Sequence, residues 1–588
     1  YKTAGELLPG VIHVSARAIA THALSIFGDH QDVMACRQTG CAMLAAGSVQ
    51  EVADLAPIAH LAAIKGRLPF IHFFDGFRTS HEVQKIELLE YRDFGEMIDM
   101  EALREFKNRA LSPNKPCFRG TAQNSDIYFQ GREASNPFYY NIIPVVEEYM
   151  KKIGERTGRK YNLFDYYGAP DAEYVIIAMG SVTQATKQII DYYNNKGEKY
   201  GLINVHLFRP FSSNHLLNAI PKSVKKIAVL DRTKEPGSIG EPLYEDVCCA
   251  FKEVSNPPLI IGGRYGLASK DTTPNQIAAV YENLKQDQPK ESFTIGIIDD
   301  ISKTSLPAVD GIDAEPEDMK ACQLWGLGSD GTVGANQQAI KIVGNNSDLN
   351  VQAYFDYDSK KSGGLTVSHL RFSSEPIRST YLVNNADYVA CHNPSYVYKY
   401  HMLESLKPGG IFVLNTKWND DELDKFLPAA MKQKLAEKEA KFYTINAIQI
   451  AEDIGLGNRI NMIMQGAFFK LTKLLHEDVF IKELKEGISS MYGKKGEKVV
   501  KMNHDAVDQG IQAIHQVEIP SSWKDIKHDN KIQDNISKDK DPEFVNRIMK
   551  PMTEMKGGEL PVSAFSGIED GTFPSGLTQF EKRGIAVN

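Results

Sequence analysis

The sequence predicts a multidomain α/β protein built on doubly wound parallel sheets. Three observations lead there. The 588 residues exceed what one core supports, since domains usually hold roughly 50–250 residues. Two long stretches alternate short apolar runs with amphipathic helical segments, the pattern of parallel strands joined by crossover helices. In the second stretch a glycine-rich turn separates a strand run from a helix run, where such a turn can bring backbone amides to a ligand.

Residues 1–168 carry a helical segment at 49–65 and a strand run at 68–74. They then become irregular between Pro113 and Pro137. Arg119, Tyr128, Phe129 and Arg132 lie in this stretch, with Phe138 at its edge. So many aromatics argue against disorder, and the stretch is expected to be ordered and packed. Residues 169–318 read as strand 174–179, helix 183–194, strand 200–207, strand 226–230, helix 241–253 and strand 259–262. Residues 319–544 restart the pattern with strand 322–327 and helix 335–342. Strands follow at 351–355, 388–391, 410–415 and 441–445, and helices at 396–406 and 459–475. The charge-rich stretch 520–541 resembles an exposed connection. Residues 545–588, rich in glycine and proline, are too few for a strong core and are expected to wrap another domain. No internal repeat is visible.

Composition is ordinary for a globular protein, with 42% hydrophobic and 24% charged residues. A net charge of −8 argues against general nucleic-acid binding. No run is long enough for a membrane span, and no signal peptide is visible. The chain opens at Tyr1 with sequence typical of a domain interior, so an upstream segment is expected. The seven cysteines are irregularly spaced and include no Cys-x-x-Cys pair. They make neither a disulfide framework nor a cluster-binding run; a reducing compartment and small buried thiols fit better.

The glycine-rich turn is Gly326-Leu327-Gly328-Ser329-Asp330-Gly331-Thr332. Glycines allow close backbone approach, and a helix start favours phosphate; a purely structural tight turn explains the same pattern equally well. A dinucleotide site would carry an acid at the end of the next strand. Here that position holds Tyr357-Asp358-Ser359-Lys360-Lys361, whose lysines suit several phosphates or a solvated surface. Arg37, among small residues in Cys36-Arg37-Gln38-Thr39-Gly40, is able to grip a carboxylate with two parallel hydrogen bonds. A structural ion pair is the plainer alternative. Phe73–Glu82 ends a strand with Asp75, Arg78 and His81, where ligand contacts or charges pairing with one another are both open. No metal-ligand spacing stands out.

Together with Arg119–Asn124, Tyr128–Glu133, Leu230–Gly237, Trp325–Asn336, Tyr357–Gly364, Asn458–Gln465 and Phe580–Gly584, these segments resemble the pyruvate:ferredoxin (flavodoxin) oxidoreductases from end to end. The resemblance implies a thiamine diphosphate-dependent oxidative decarboxylation of pyruvate with coenzyme A, giving acetyl-CoA and CO₂, with electrons leaving through [4Fe–4S] clusters. It implies a partial thiamine-fold domain at 1–168, a transketolase C-terminal-like domain at 169–318, a Rossmann-like coenzyme A domain at 319–544 and a connector at 545–588. By resemblance Arg37 binds the pyruvate carboxylate. Gly328, Ser329, Asp330, Gly331, Thr332 and Lys360 contact coenzyme A, with Asn461 and Lys501 as further candidates. The family's N-terminal segment and its ferredoxin-like and Mg²⁺–thiamine diphosphate-binding domains have no counterpart in this sequence, so an internal fragment is expected.

The resemblance also implies ferredoxin or flavodoxin as partner, a homodimer, and a cytoplasmic or hydrogenosomal location, with no nucleic-acid or membrane partner. A fragment of a pyruvate:NADP⁺ oxidoreductase fusion is one alternative, and a coenzyme A-binding chain without catalysis of its own is another. A coenzyme A ligase is disfavoured, because no phosphorylatable histidine or ATP-grasping segment is evident.

Overall fold

The computed structural model describes residues 1–328, 331–357, 364–526 and 542–580. The chain divides into two compact units. One comprises Tyr1–His81, Ile86–Glu315 and Arg378–Tyr381; the other comprises Glu82–Lys85, Pro316–Ile377 and Leu382–Asn588.

The strands up to residue 315 are β1 (Gly10–Ala16), β2 (Ala42–Ala46), β3 (Pro69–Asp75), β4 (Val83–Gln84), β5 (Phe164–Gly168), β6 (Tyr174–Ala178), β7 (Tyr200–Val205), β8 (Leu207–Arg209), β9 (Lys226–Asp231), β10 (Leu259–Arg264) and β11 (Ser292–Thr294). In the first unit one sheet has the order β1-β3-β2-β8 and a second the order β11-β10-β9-β6-β7-β5. Both are parallel except at one edge, where β8 and β5 run antiparallel to β2 and β7. β2 and β7 are buried along their whole length, as strands covered on both faces must be. The Val49–Gly66 helix starts at Ser48, whose side chain accepts the Glu51 N–H, and packs Leu55, Ile58 and Ala62 into the core.

Three expectations change here. The run 200–207 is two strands in two sheets, divided at His206, whose ring bonds the Ala45 carbonyl and Asp165 at 3.0 Å each. β5 lies before the 168/169 boundary yet forms the edge of the second sheet. The stretch 113–137 is not packed: Phe118 is 95% and Phe129 69% exposed. Its only helix of any length wholly inside it among the described residues is the short Tyr128–Glu133 segment. Aromatic content alone provided no apolar face to cover these rings.

The second unit adds β12 (Lys320–Leu327), β13 (Asn350–Tyr357), β14 (Leu365–Ser373), β15 (Ala386–Cys391), β16 (Leu406–Asn415), β17 (Lys441–Ile445) and β18 (His515–Val517). With β4 they form one sheet in the order β18-β17-β16-β15-β12-β14-β13-β4. β12, β15, β16 and β17 are parallel neighbours. β14 runs antiparallel to both β12 and β13, and β18 and β4 are antiparallel edges. The sheet is therefore mixed rather than purely parallel. A separate apolar core lies on each face. One is filled by Ala339, Phe468, Leu484 and Val507, the other by Leu423, Leu435, Phe412 and Trp523. This two-faced burial is the doubly wound arrangement.

The predicted helix 396–406 is only a short 3₁₀ turn at Pro394–Tyr398, after which Met402 and Leu403 pack as irregular chain. Trp523, inside the predicted exposed connection, is buried and donates to Asp424 at 2.6 Å. Among the described residues no helix is long and apolar enough to cross a membrane.

Candidate functional site

In the first unit polar residues gather at the carboxyl ends of β3, β6 and β9. Asp75 ends β3 and is fully buried. It meets Arg232 Nη1 at 2.6 Å and His30 Nε2 at 2.5 Å. It also accepts the Ser181 N–H at 2.9 Å and the Ser181 hydroxyl. Burial alone would raise the Asp75 carboxyl, but Arg232, His30 and Ser181 hold it well below the usual carboxylate range. Gly180, at φ +81°, leaves room for this packing: a Cβ there would stand 2.7 Å from Asp75 Oδ1.

The cluster anchors the loop after β9. The Arg232 carbonyl accepts the His30 N–H at 2.9 Å. Asp231 accepts the N–H groups of Leu243 and Tyr244 at 3.0 Å each, where the Pro242–Ala250 helix begins. Burial pushes the Asp231 carboxyl up to about 7 against the pull of those two donors. Between these anchors stands Glu235. Arg37 Nη2 donates to both its carboxylate oxygens, at 3.0 and 2.9 Å, and Arg37 Nη1 donates to the Met34 carbonyl at 2.9 Å. The two side chains are 28% and 36% exposed. A pair so exposed contributes only about 0–1 kcal/mol and is readily exchanged.

Arg78 makes a contact beyond its own loop, and His81 makes one within it. Arg78 reaches toward the Ser379 carbonyl at 3.5 Å, and His81 stacks on Phe77 with ring centroids 4.5 Å apart. A further cluster escaped the sequence reading: His13 Nδ1 lies 2.9 Å from His72 Nδ1, and His13 Nε2 lies 3.0 Å from His60 Nε2. Burial, followed by its two neighbours, pushes His72 down to about 3. Among the described residues no group of three or more His, Cys, Asp or Glu side chains could hold a metal ion.

In the second unit the glycine-rich turn links β12 to the Thr332–Asn346 helix, which has Gly331 as its N-cap and no side-chain cap. The Gly328 N–H donates to the Gly364 carbonyl at 2.7 Å. Gly331 sits at φ +89°, and a Cβ on it would fall 2.7 Å from Asn461 Nδ2. The Thr332 hydroxyl donates to Asn461 Oδ1 at 3.3 Å and lies 3.4 Å from His392 Nδ1. Asn415, at the end of β16, fixes the His392 carbonyl at 2.8 Å. Gly331, Thr332 and Asn461 are thus brought together, and His392 and Asn415 join them unforeseen, whereas Gly328 pairs with Gly364. Lys501 stands elsewhere, in a surface cavity of about 290 Å³ lined by Ser489, Gly493, Glu497, Val500 and His504. Ser329, Asp330 and Lys360 lie outside the described residues.

These features define a multidomain α/β protein with polar groups at strand ends and an uncapped helix start suited to small anions. Residues 1–151 match the family described as "Pyruvate flavodoxin/ferredoxin oxidoreductase, thiamine diP-bdg", 172–277 match "Pyruvate:ferredoxin oxidoreductase core domain II" and 321–513 match "Pyruvate ferredoxin/flavodoxin oxidoreductase". Residues 531–586 match a domain of unknown function. Over its full length the chain is 55% identical to a pyruvate:ferredoxin oxidoreductase of Moorella thermoacetica and 56% identical to a pyruvate-flavodoxin oxidoreductase of Enterobacter agglomerans, covering 50% of each. It is 47% identical to a mitochondrial pyruvate dehydrogenase [NADP(+)] of Euglena gracilis, covering 100% of this chain and 32% of that protein. Residues 1–151, 172–277 and 321–513 thus match domain families of the pyruvate:ferredoxin/flavodoxin oxidoreductases, and the chain spans about half the length of the first two relatives.

Proposed function

We propose that this chain is the pyruvate- and coenzyme A-handling part of a thiamine diphosphate-dependent oxidoreductase. The assembled enzyme converts pyruvate and coenzyme A to acetyl-CoA and CO₂ and passes two electrons to ferredoxin or flavodoxin. The observation that carries this reading is identity of 55% and 56%, over the entire chain, to proteins named for that activity. The lower 47% identity to the NADP⁺-dependent relative makes the fusion enzyme the second choice.

Arg37 takes the pyruvate carboxylate with its forked guanidinium. Gly328–Thr332 and Lys360 take coenzyme A phosphates, with Asn461 holding the turn. Lys501, which lines its own cavity, is the weakest member of the set. Thiamine diphosphate supplies the carbanion-stabilising chemistry when bound. No group of three or more His, Cys, Asp or Glu side chains among the described residues is placed to hold its Mg²⁺. Its Mg²⁺ ligands and the [4Fe–4S] thiolates would come from other segments. A homodimer in the cytoplasm or a hydrogenosome completes the reading.

Calorimetry on the full chain tests the coenzyme A assignment: coenzyme A should bind, weaken with salt, and be preferred over NAD⁺. Equal binding of NAD⁺ refutes it. In the assembled enzyme Arg37→Ala should raise the pyruvate KM about ten- to a hundredfold, the loss expected for a charge-assisted pair. Coenzyme A affinity should stay nearly constant. An unchanged kcat/KM for pyruvate removes Arg37 from the site.

A further inference from the structure

We infer that Glu235 is a positioning residue that occupies Arg37 in the substrate-free protein and is displaced by the carboxylate of an incoming 2-oxoacid. The inference rests on the reading of Arg37 as the carboxylate-binding group. Glu235 meets Arg37 through one guanidinium nitrogen and both carboxylate oxygens, at 3.0 and 2.9 Å. It therefore fills the place a substrate carboxylate would take.

Three features make this contact an exchangeable stand-in. Arg37 keeps a second hold: Nη1 donates to the Met34 carbonyl at 2.9 Å, so the guanidinium stays oriented when Glu235 leaves. Glu235 is carried by an exposed turn in a loop fixed at both ends. Arg232 and Asp231 secure its start, Asp231 also secures the helix that follows, and the middle is Glu235-Pro236-Gly237 with Gly237 at φ +87°. The pair is also open to water, at 28% and 36% side-chain exposure, whereas its neighbour Arg232–Asp75 stands at 5% and 0%. A carboxylate arriving from solvent competes with Glu235 for a hydrated site, not a sealed one. The arrangement favours ligands with a carboxylate beside the reacting carbonyl over neutral carbonyl compounds, which have nothing to exchange for Glu235.

Arginine-selective modification by phenylglyoxal, mapped residue by residue by mass spectrometry on the full chain, tests this. Glu235→Gln should speed modification of Arg37 about two- to fivefold, the range a half-exposed ion pair contributes. Buried Arg232 should stay unreactive in both proteins, which reports an intact fold. Glu235→Asp should restore most of the slow rate. Pyruvate should protect Arg37 in both proteins, at a two- to fivefold lower concentration in Glu235→Gln; acetaldehyde, lacking the carboxylate, should protect in neither. Equal Arg37 rates in wild type and Glu235→Gln overturn the inference. Acceleration without protection by pyruvate overturns instead the role of Arg37 on which it rests. In the assembled enzyme the matching signature is a lower pyruvate KM for Glu235→Gln with kcat unchanged.

Discussion

Two arginine–carboxylate pairs in the first unit share their chemistry and differ in burial. Arg232 and Asp75 are 5% and 0% exposed, while Arg37 and Glu235 are 28% and 36% exposed. The buried pair is supported by His30, Ser181 and the Gly266 carbonyl. Such support is required once two charges leave water. The open pair has an auxiliary hydrogen bond from Arg37 to Met34, with Asp246 within electrostatic reach of Arg37. Burial turns one pair into a fixed anchor for the β9 loop and leaves the other free to exchange partners. The same residue types thus build the frame of the candidate site and its moving part.

Breaking the anchor should have the largest effect. Asp75→Asn strands a buried guanidinium and should cost about 3–5 kcal/mol, lowering Tm on the order of 10 °C. Calorimetric unfolding checks this, and a drop of only one or two degrees would show that the cluster is not an anchor. Next comes the histidine group on β1, β3 and the Val49–Gly66 helix. His72 is pushed down to about 3 in the folded protein, so the unfolded chain binds a proton that the folded chain refuses. This contribution is present above about pH 6.5 and is lost as pH falls toward 3. Between pH 6.5 and 4.5 the wild type should lose about 2–3 kcal/mol that His72→Gln retains. Parallel urea midpoints for the two proteins across that interval would contradict it.

A smaller effect is expected at the second unit's turn. Gly331→Ala forces a side chain onto φ +89° and against Asn461, costing about 1–2 kcal/mol and weakening coenzyme A. Adding Asn461→Ala should recover the steric part only; full recovery would show that the backbone angle is unimportant. The smallest effect belongs to the open pair. Arg37→Met should change stability by less than about 1 kcal/mol while raising the pyruvate KM of the assembled enzyme as Arg37→Ala does. A loss as large as that of Asp75→Asn would erase the contrast between the two pairs.

Much of the frame was legible in the sequence because strands buried on both faces are continuous apolar runs: β3, β6, β9, β12 and β17 fall where those runs predict them. The turn at Gly326–Thr332 was legible for a similar local reason, since strand, glycines and helix start are contiguous. Asn461 was reached only through resemblance, and the structure places its amide against Gly331. Asp75 and Glu235 sat inside recognised segments, yet nothing local gave them partners. Arg37 illustrates the limit: its sequence allowed a substrate fork or an ion pair, and its observed partner is 198 residues away.

The sequence by itself therefore determined the α/β class, most strand positions, the glycine-rich turn and the family resemblance. Each is written in composition, local periodicity or ordered motifs. Tertiary structure alone decided that 200–207 divides between two sheets, that β14 reverses direction within the second unit's sheet, and that the aromatics of 113–137 face outward. It also decided which arginine is sealed and which is open. Strand pairing and burial depend on contacts between residues far apart in the chain, and one segment carries its own propensity but not the identity of the surface that will cover it.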